Sequence, residues 1–222
     1  MRKAWRWGAI IASTLATSTA AVGVLHMPFA KSWLMKLGGC PLVSATPAQA
    51  EAARGSALVA LRGADVAPQR PALGFKLEHT TARDVLAWGE QRGVDCHSTR
   101  DDTLVLCNDV DAAAIDQPGP RIQQLAFLFR ARDGALLNVT TTRTGLTSEQ
   151  SAELLESITA RMRKDLGAPH VGGGERTANA LGAPAKSFLA EYRFHDYLAD
   201  TSAMNTGTQG VMVREHYIAV TD

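Results

Sequence analysis

Apolar residues recur at helical spacing most clearly between residues 148 and 166. There Leu154, Leu155, Ile158, Met162 and Leu166 mark one face. Thr147 stands at the N-cap with Gln150 closing a capping box, and Gly167 and Pro169 stop the run. A second helix is predicted over 82–92, with Thr81 as cap, Asp84 three residues on, Val85 and Trp88 on one face, and Gly93 at the end. A third, Ala-rich helix is predicted over 46–62, opened by Thr46, Pro47 and Gln49 and closed by Gly63. Residues 64–73 contain two prolines and are predicted to be an extended connector.

Between and after these helices the period changes to two. A hairpin is predicted over 94–108, centred on Asp101-Asp102, which sets Cys96 directly opposite Cys107. Opposed Cα atoms of an antiparallel pair lie about 4.5–5.5 Å apart, within disulfide reach. A Cys96–Cys107 disulfide is therefore expected in an oxidising compartment; the alternative is two small buried apolar residues. Pro118-Gly119-Pro120 makes a turn, and a strand over 121–131 carries Leu125, Phe127 and Phe129 on one face. For the next turn, a three-residue loop of Arg132, Asp133 and Gly134 pairs Phe129 with Leu137 and Phe127 with Val139. A two-residue loop would set apolar residues against polar ones. Closing strands are predicted over 188–195, 197–204 and 211–219, and the Gly-rich stretch from His170 to Glu175 is expected to be a mobile linker.

The start of the chain follows another pattern. Residues 7–27 carry 13 apolar residues, two glycines and five Ser or Thr, with no charge beyond what His26 can take up. As a helix this run is about 31 Å long, close to one bilayer core. Arg2, Lys3 and Arg6 precede it, which orients the N-terminus to the cytoplasm. Residues 1–30 are expected to be a signal anchor or a cleaved signal peptide. The small-residue sites at Ser18-Thr19-Ala20 and Ala48-Gln49-Ala50 are poorly placed for cleavage, which favours the anchor. Leu37-Gly38-Gly39-Cys40 matches a bacterial lipoprotein box, but Lys31 and Lys36 separate it from the apolar run and argue against lipidation of Cys40. Trp5, Trp7 and Trp33 suit a membrane interface.

These elements predict an α+β fold: an N-terminal membrane helix (1–30), an exit segment with an Ala-rich helix and connector (31–73), and helices packed on antiparallel sheet (74–222). The last region divides into two tandem helix-plus-sheet units, 74–145 and 146–222. Leu166-Gly167-Ala168-Pro169 recurs as Leu181-Gly182-Ala183-Pro184, a faint echo of that repeat. Over residues 75–219 the order of elements resembles the small helix-plus-sheet units of BamE-type outer-membrane lipoproteins and of the β-lactamase inhibitor protein. The resemblance implies a fold and carries over no site residues.

Composition narrows the picture. Of 222 residues, 45% are apolar and 20% charged, which excludes a disordered, collagen-like or polytopic chain. From residue 7 onward 20 basic residues face 22 acidic ones, so no basic excess supports nucleic-acid binding. No G-x-S-x-G, H-E-x-x-H, Walker or G-x-G-x-x-G motif occurs, and Val171 to Glu175 lacks the lysine of a phosphate loop. Asn138-Val139-Thr140 matches a glycosylation sequon but falls in mid-strand. His195-Asp196 and Glu215-His216 are imidazole–carboxylate neighbours on predicted strands. If those strands pair, His195 and His216, with Glu215 beside them, are the candidates for a metal or acid–base site. Alternation opposes it, because adjacent residues on a strand face opposite ways. No cofactor is implied. The expectation is a membrane-anchored, extracytoplasmic (periplasmic) domain without catalysis that binds another envelope protein; secretion after cleavage is the alternative location. A small-ligand or metal-binding protein, or an enzyme, using the C-terminal histidines is the alternative function.

Overall fold

The computed structural model describes residues 46–220. The predicted membrane span, both tryptophan-bearing flanks and Cys40 lie outside the described residues. Among those described, no helix is long and apolar enough to cross a membrane. Residues from Glu51 onward form one compact unit. It is an α+β domain in which a single eight-stranded antiparallel sheet carries the helices.

The first helix, α1 (Pro47–Val59), is opened by the Thr46–Gln49 capping box. The connector after it runs to α2 (Ala82–Arg92), capped by Thr81 and Asp84 and ended by Gly93 in the left-handed conformation. Strands β1 (Cys96–Thr99), β2 (Leu104–Val110), β3 (Ile122–Phe129) and β4 (Leu136–Leu146) follow as a meander. The second half repeats the plan. Helix α3 (Ser148–Leu166) is capped by Thr147 and Gln150, as predicted. It leads to β5 (Val171–Gly173), the short α4 (Ala178–Leu181), β6 (Ser187–Arg193), β7 (Tyr197–Asn205) and β8 (Val211–Ala219). The order across the sheet is β1-β2-β3-β4-β8-β7-β6-β5, so the two meanders join through β4 and β8.

Alternation along every strand separates two faces. One face supplies Val105, Leu125, Phe127, Val139, Val213, Tyr217, Tyr197 and Tyr192 to the main core, which Val85 of α2 and Leu154, Leu155, Ile158 and Met162 of α3 complete. Trp88 stands edge-on to Phe75 and Phe127 at centroid distances of 5.2 and 6.4 Å. The Cys96–Cys107 disulfide is present, and the two residues are direct partners across β1 and β2.

Three expectations are corrected. The β3–β4 loop has four residues, 131–134: the Arg130 amide donates to the Ala135 carbonyl, and Gly134, at φ 70°, donates to the Arg130 carbonyl. Phe127 does pair with Val139, but a bulge shifts the partner of Phe129 from Leu137 to Leu136. The bulge lets consecutive leucines serve different sites: Leu136 enters the core, while Leu137 lines a small cavity under α1. The Gly-rich stretch forms edge strand β5 rather than a linker. Its Gly174 passes so close to β6 that a Cβ there would sit 2.0 Å from the Ser187 carbonyl oxygen. Finally, β6 ends at Arg193, so His195 is in a turn and on no strand.

The connector straps the two halves together. Gly63 donates to Phe194 and His195 to Asp65 at the β6–β7 turn; Glu78 donates to Leu136 and Leu136 to Thr80 at the start of β4. Asp196 accepts from the Ala67 amide at 2.9 Å, and Tyr197 donates to the Pro71 carbonyl at 2.6 Å. The Arg70–Glu78 pair at 2.6 Å and Arg130 beside Glu78 at 3.6 Å add charge to the same strap.

Candidate functional site

Strand β8 holds both carboxylate and imidazole of the Glu215-His216 pair, and the pleat sends them to opposite faces. Each side chain anchors its own polar network.

Glu215 points into the core and is fully buried. Its Oε2 accepts from Tyr217 Oη at 2.8 Å and from Arg161 Nη2, and its Oε1 accepts from Thr141 Oγ1 at 3.4 Å. Arg143, also fully buried, lies 3.8 Å from Oε1 and donates through Nε to the Pro120 carbonyl at 3.1 Å. Gln117 completes the set when its amide nitrogen faces Glu215 at 3.2 Å and its oxygen faces Arg161 at 2.9 Å. Burial pushes the Arg143 guanidinium below the ordinary arginine range. Burial works against the charge on Arg161 more than any single neighbour favours it, but Glu215, Tyr217 and Asp165 together outweigh it and the net shift is upward. The Tyr217 hydroxyl is pushed well above the usual tyrosine range, first by burial and then by Glu215. The Glu215 carboxylate has no solvent access here, while Arg143 Nη2 is buried without a hydrogen-bond partner among the described residues and the Arg161 side chain is 31% exposed. Such networks fix the packing of α3 on the sheet, and removing one charge leaves the others stranded.

His216 faces the other way and is partly exposed. Its Nδ1 is 3.0 Å from Asp200 Oδ2 on β7, and its Nε2 is 2.5 Å from Asn138 Nδ2 on β4. Asp200 also accepts from Arg214 at 2.8 Å, and Asn138 Oδ1 accepts from Thr140 Oγ1 at 2.9 Å. When the ring is neutral, these partners define the tautomer: Nδ1–H donates to the carboxylate, and the lone pair of Nε2 accepts from the amide. Burial alone would raise the Asp200 carboxyl; the His216 hydrogen bond and charge, with Arg214, outweigh it and hold the carboxyl below its usual range. Both ring nitrogens are thus engaged within the sheet.

The register shows what surrounds this network. One rung across the sheet on this second face reads Leu104, Leu128, Asn138, Ile218 and Leu198 on β2, β3, β4, β8 and β7. The next rung reads Leu106, Ala126, Thr140, His216, Asp200 and then Glu191 on β6. A third reads Asn108, Gln124, Thr142, Arg214, Ser202 and Leu189. Leu104, Leu106, Ala126 and Leu128 are half-buried and belong to neither buried cluster. Among the described residues, only the Ile218–Leu198 end is seen to be covered, by Leu58 of α1.

The three residues singled out for a metal do not meet. His195 is exposed in the β6–β7 turn, five residues before the residue opposite His216, about 15 Å away along the strand direction. Glu215 is on the other face of the sheet. Among the described residues no group of three or more His, Cys, Asp or Glu is placed to hold a metal ion. Asp200 and Arg214 are not singled out from sequence, and Asn138 and Thr140 enter there only as a sequon. The signal for Asp200 is the register of the β7–β8 hairpin, which opposes it to His216 once Ala199 and Ala203 are matched to Tyr217 and Val213.

Comparison with protein-family models finds no match, and no curated protein or solved structure matches the chain.

Proposed function

We propose that this chain is a membrane-anchored or exported domain of the cell envelope, without catalysis, whose uncovered sheet face binds another envelope protein. The observation that carries this role is the asymmetry of the sheet. One face is closed by α2 and α3, while among the described residues the other is covered only at its Ile218–Leu198 end, leaving half-buried leucines of β2 and β3 and an ordered polar cluster. Interfaces combine apolar patches with polar groups held in place in this manner. The charged leader supports a location outside the cytoplasm, with the domain anchored by residues 7–27 or released by cleavage. A disulfide between Cys96 and Cys107 suits an oxidising compartment such as the periplasm. The described residues repeat a plan of one helix followed by four strands. The test is crosslinking of the full-length tagged protein in intact cells, followed by mass spectrometry. One dominant envelope partner is expected, lost when residues 1–45 are exchanged for a cleavable leader. Its absence would count against the role and turn the search to small ligands of the C-terminal strands.

A further inference from the structure

The segment that follows β5 lines an open groove of about 830 Å³ beside α3, on the covered side of the sheet. Small-molecule clefts run from about 300 to 1,000 Å³. The groove exists because this end of the sheet is thinly covered. Strand β5 has three residues and α4 only four. Gly174, at φ 77°, brings the chain against Ser187 and sets the next residues along one wall. The floor is apolar: Ala152 of α3, and Phe188 of β6 with 8% of its surface exposed. Three carboxylates and one guanidinium stand around it, Glu153 and Glu156 from α3 and Glu175 and Arg176 from the segment after β5. Arg176 pairs with Glu156 at 2.6 Å and ties the two walls together. That pair shows a cation already held at this rim. Glu153 and Glu175 are exposed, and neither side chain has an ion pair or hydrogen bond among the described residues. The charge of the groove is therefore opposite to that of a phosphate loop.

Carboxylates in water need no partner, and on their own they select nothing. Beside an apolar floor they do select. A molecule that covers Phe188 and Ala152 gains from buried area, and a positive charge on it gains again from the two unpaired carboxylates. A neutral molecule uses the floor alone, and an anion is repelled. We propose that this groove is a binding site for a small organic cation with an aromatic body, an arylalkylammonium ion. Its ring lies on Phe188 and Ala152, and its ammonium group is drawn to Glu153 and Glu175. The site is on the opposite side of the sheet from the surface assigned to a protein partner, so this inference does not rest on that role.

The test compound is tryptamine, titrated into the isotope-labelled full-length protein in a neutral detergent and read from backbone amide shifts. Two compounds with the same ring serve as comparison: tryptophol, which is neutral, and indole-3-propionate, which is an anion. Shifts are expected at Ala152, Gly174 and Phe188. Tryptamine is expected to bind at least about fivefold more tightly than tryptophol, and indole-3-propionate more weakly than either. Glu153→Gln combined with Glu175→Gln is expected to bring tryptamine down to the affinity of tryptophol. Glu90→Gln combined with Asp95→Asn, two exposed acids outside the groove, is expected to leave the preference unchanged. All four side chains are exposed, so both variants should keep the wild-type melting midpoint. No tryptamine shifts at the groove, equal affinity for tryptamine and tryptophol, or the same loss in both double variants would overturn the proposal. A protein captured through a photo-crosslinking residue at Glu156 would give the groove a different occupant and overturn it as well. Tryptamine binding with no partner captured on the second face would keep this site and remove the interaction role.

Discussion

The two faces of the sheet solve the same problem, holding charged groups among strands, in different ways. On the covered face Glu215 meets two arginines, a tyrosine, a threonine and a glutamine, with no solvent access at the carboxylate. On the second face His216 meets one carboxylate and one amide and stays partly exposed, as do Asp200 and Arg214. The residues are neighbours in sequence, so composition cannot distinguish them; the pleat does. A buried network locks packing, and its loss costs the fold. A half-exposed network is arranged but still available to something outside. Under the role proposed above, the face with the smaller structural role is the one left for recognition.

This contrast makes the largest prediction. Glu215→Gln should leave the fully buried Arg143 without its carboxylate and destabilise the domain by about 3–5 kcal/mol in denaturant unfolding. His216→Ala should cost about 1 kcal/mol or less, the worth of a partly exposed hydrogen bond. Equal losses would erase the distinction between the faces. Next in size is the tie on the covered face at the first edge of the sheet. Replacing both Cys96 and Cys107 by serine should cost about 3 kcal/mol, read as a lower midpoint under non-reducing conditions, because the bond closes a loop of only 11 residues in sequence separation. A midpoint that matches the wild type in oxidising and reducing buffer alike would deny the bond a structural part.

The smallest effect concerns Asp200. Its folded carboxyl is held below the ordinary value of 3.8. The group therefore stabilises the domain above the unfolded value, and the contribution fades as pH falls through the lower folded one. The stability difference between wild type and Asp200→Asn should be constant from neutral pH down to about 5 and shrink below 4. A difference that grows with acid would reverse the sign and place the carboxyl in a different environment.

Much of the covered face was legible in the chain. The capping boxes at Thr81 and Thr147 bounded α2 and α3 because those signals are local. The opposition of Cys96 and Cys107 followed from a short hairpin with one centre. Matching of faces gave the Phe127–Val139 register, although the bulge at Leu137 escaped it, since a bulge follows from what Leu136 and Leu137 pack against rather than from turn residues. The second network was much less legible. Asn138 and His216 are 78 residues apart, and they meet only because β4 and β8 join the two meanders. Nothing near either residue announces that pairing. The turn at His195 has the same origin: the connector at Asp65 holds its backbone and ends β6 early.

The account stands or falls on the second face being the partner surface. The most direct test places a photo-crosslinking residue, one at a time, in the full-length protein in intact cells. Thr140, His216 and Leu106 represent the second face, and Glu156 and Lys164 represent the outer side of α3. The account predicts one envelope protein captured from the first three positions and not from the last two. Capture from α3 with none from the sheet, or the same products from all five, would contradict it.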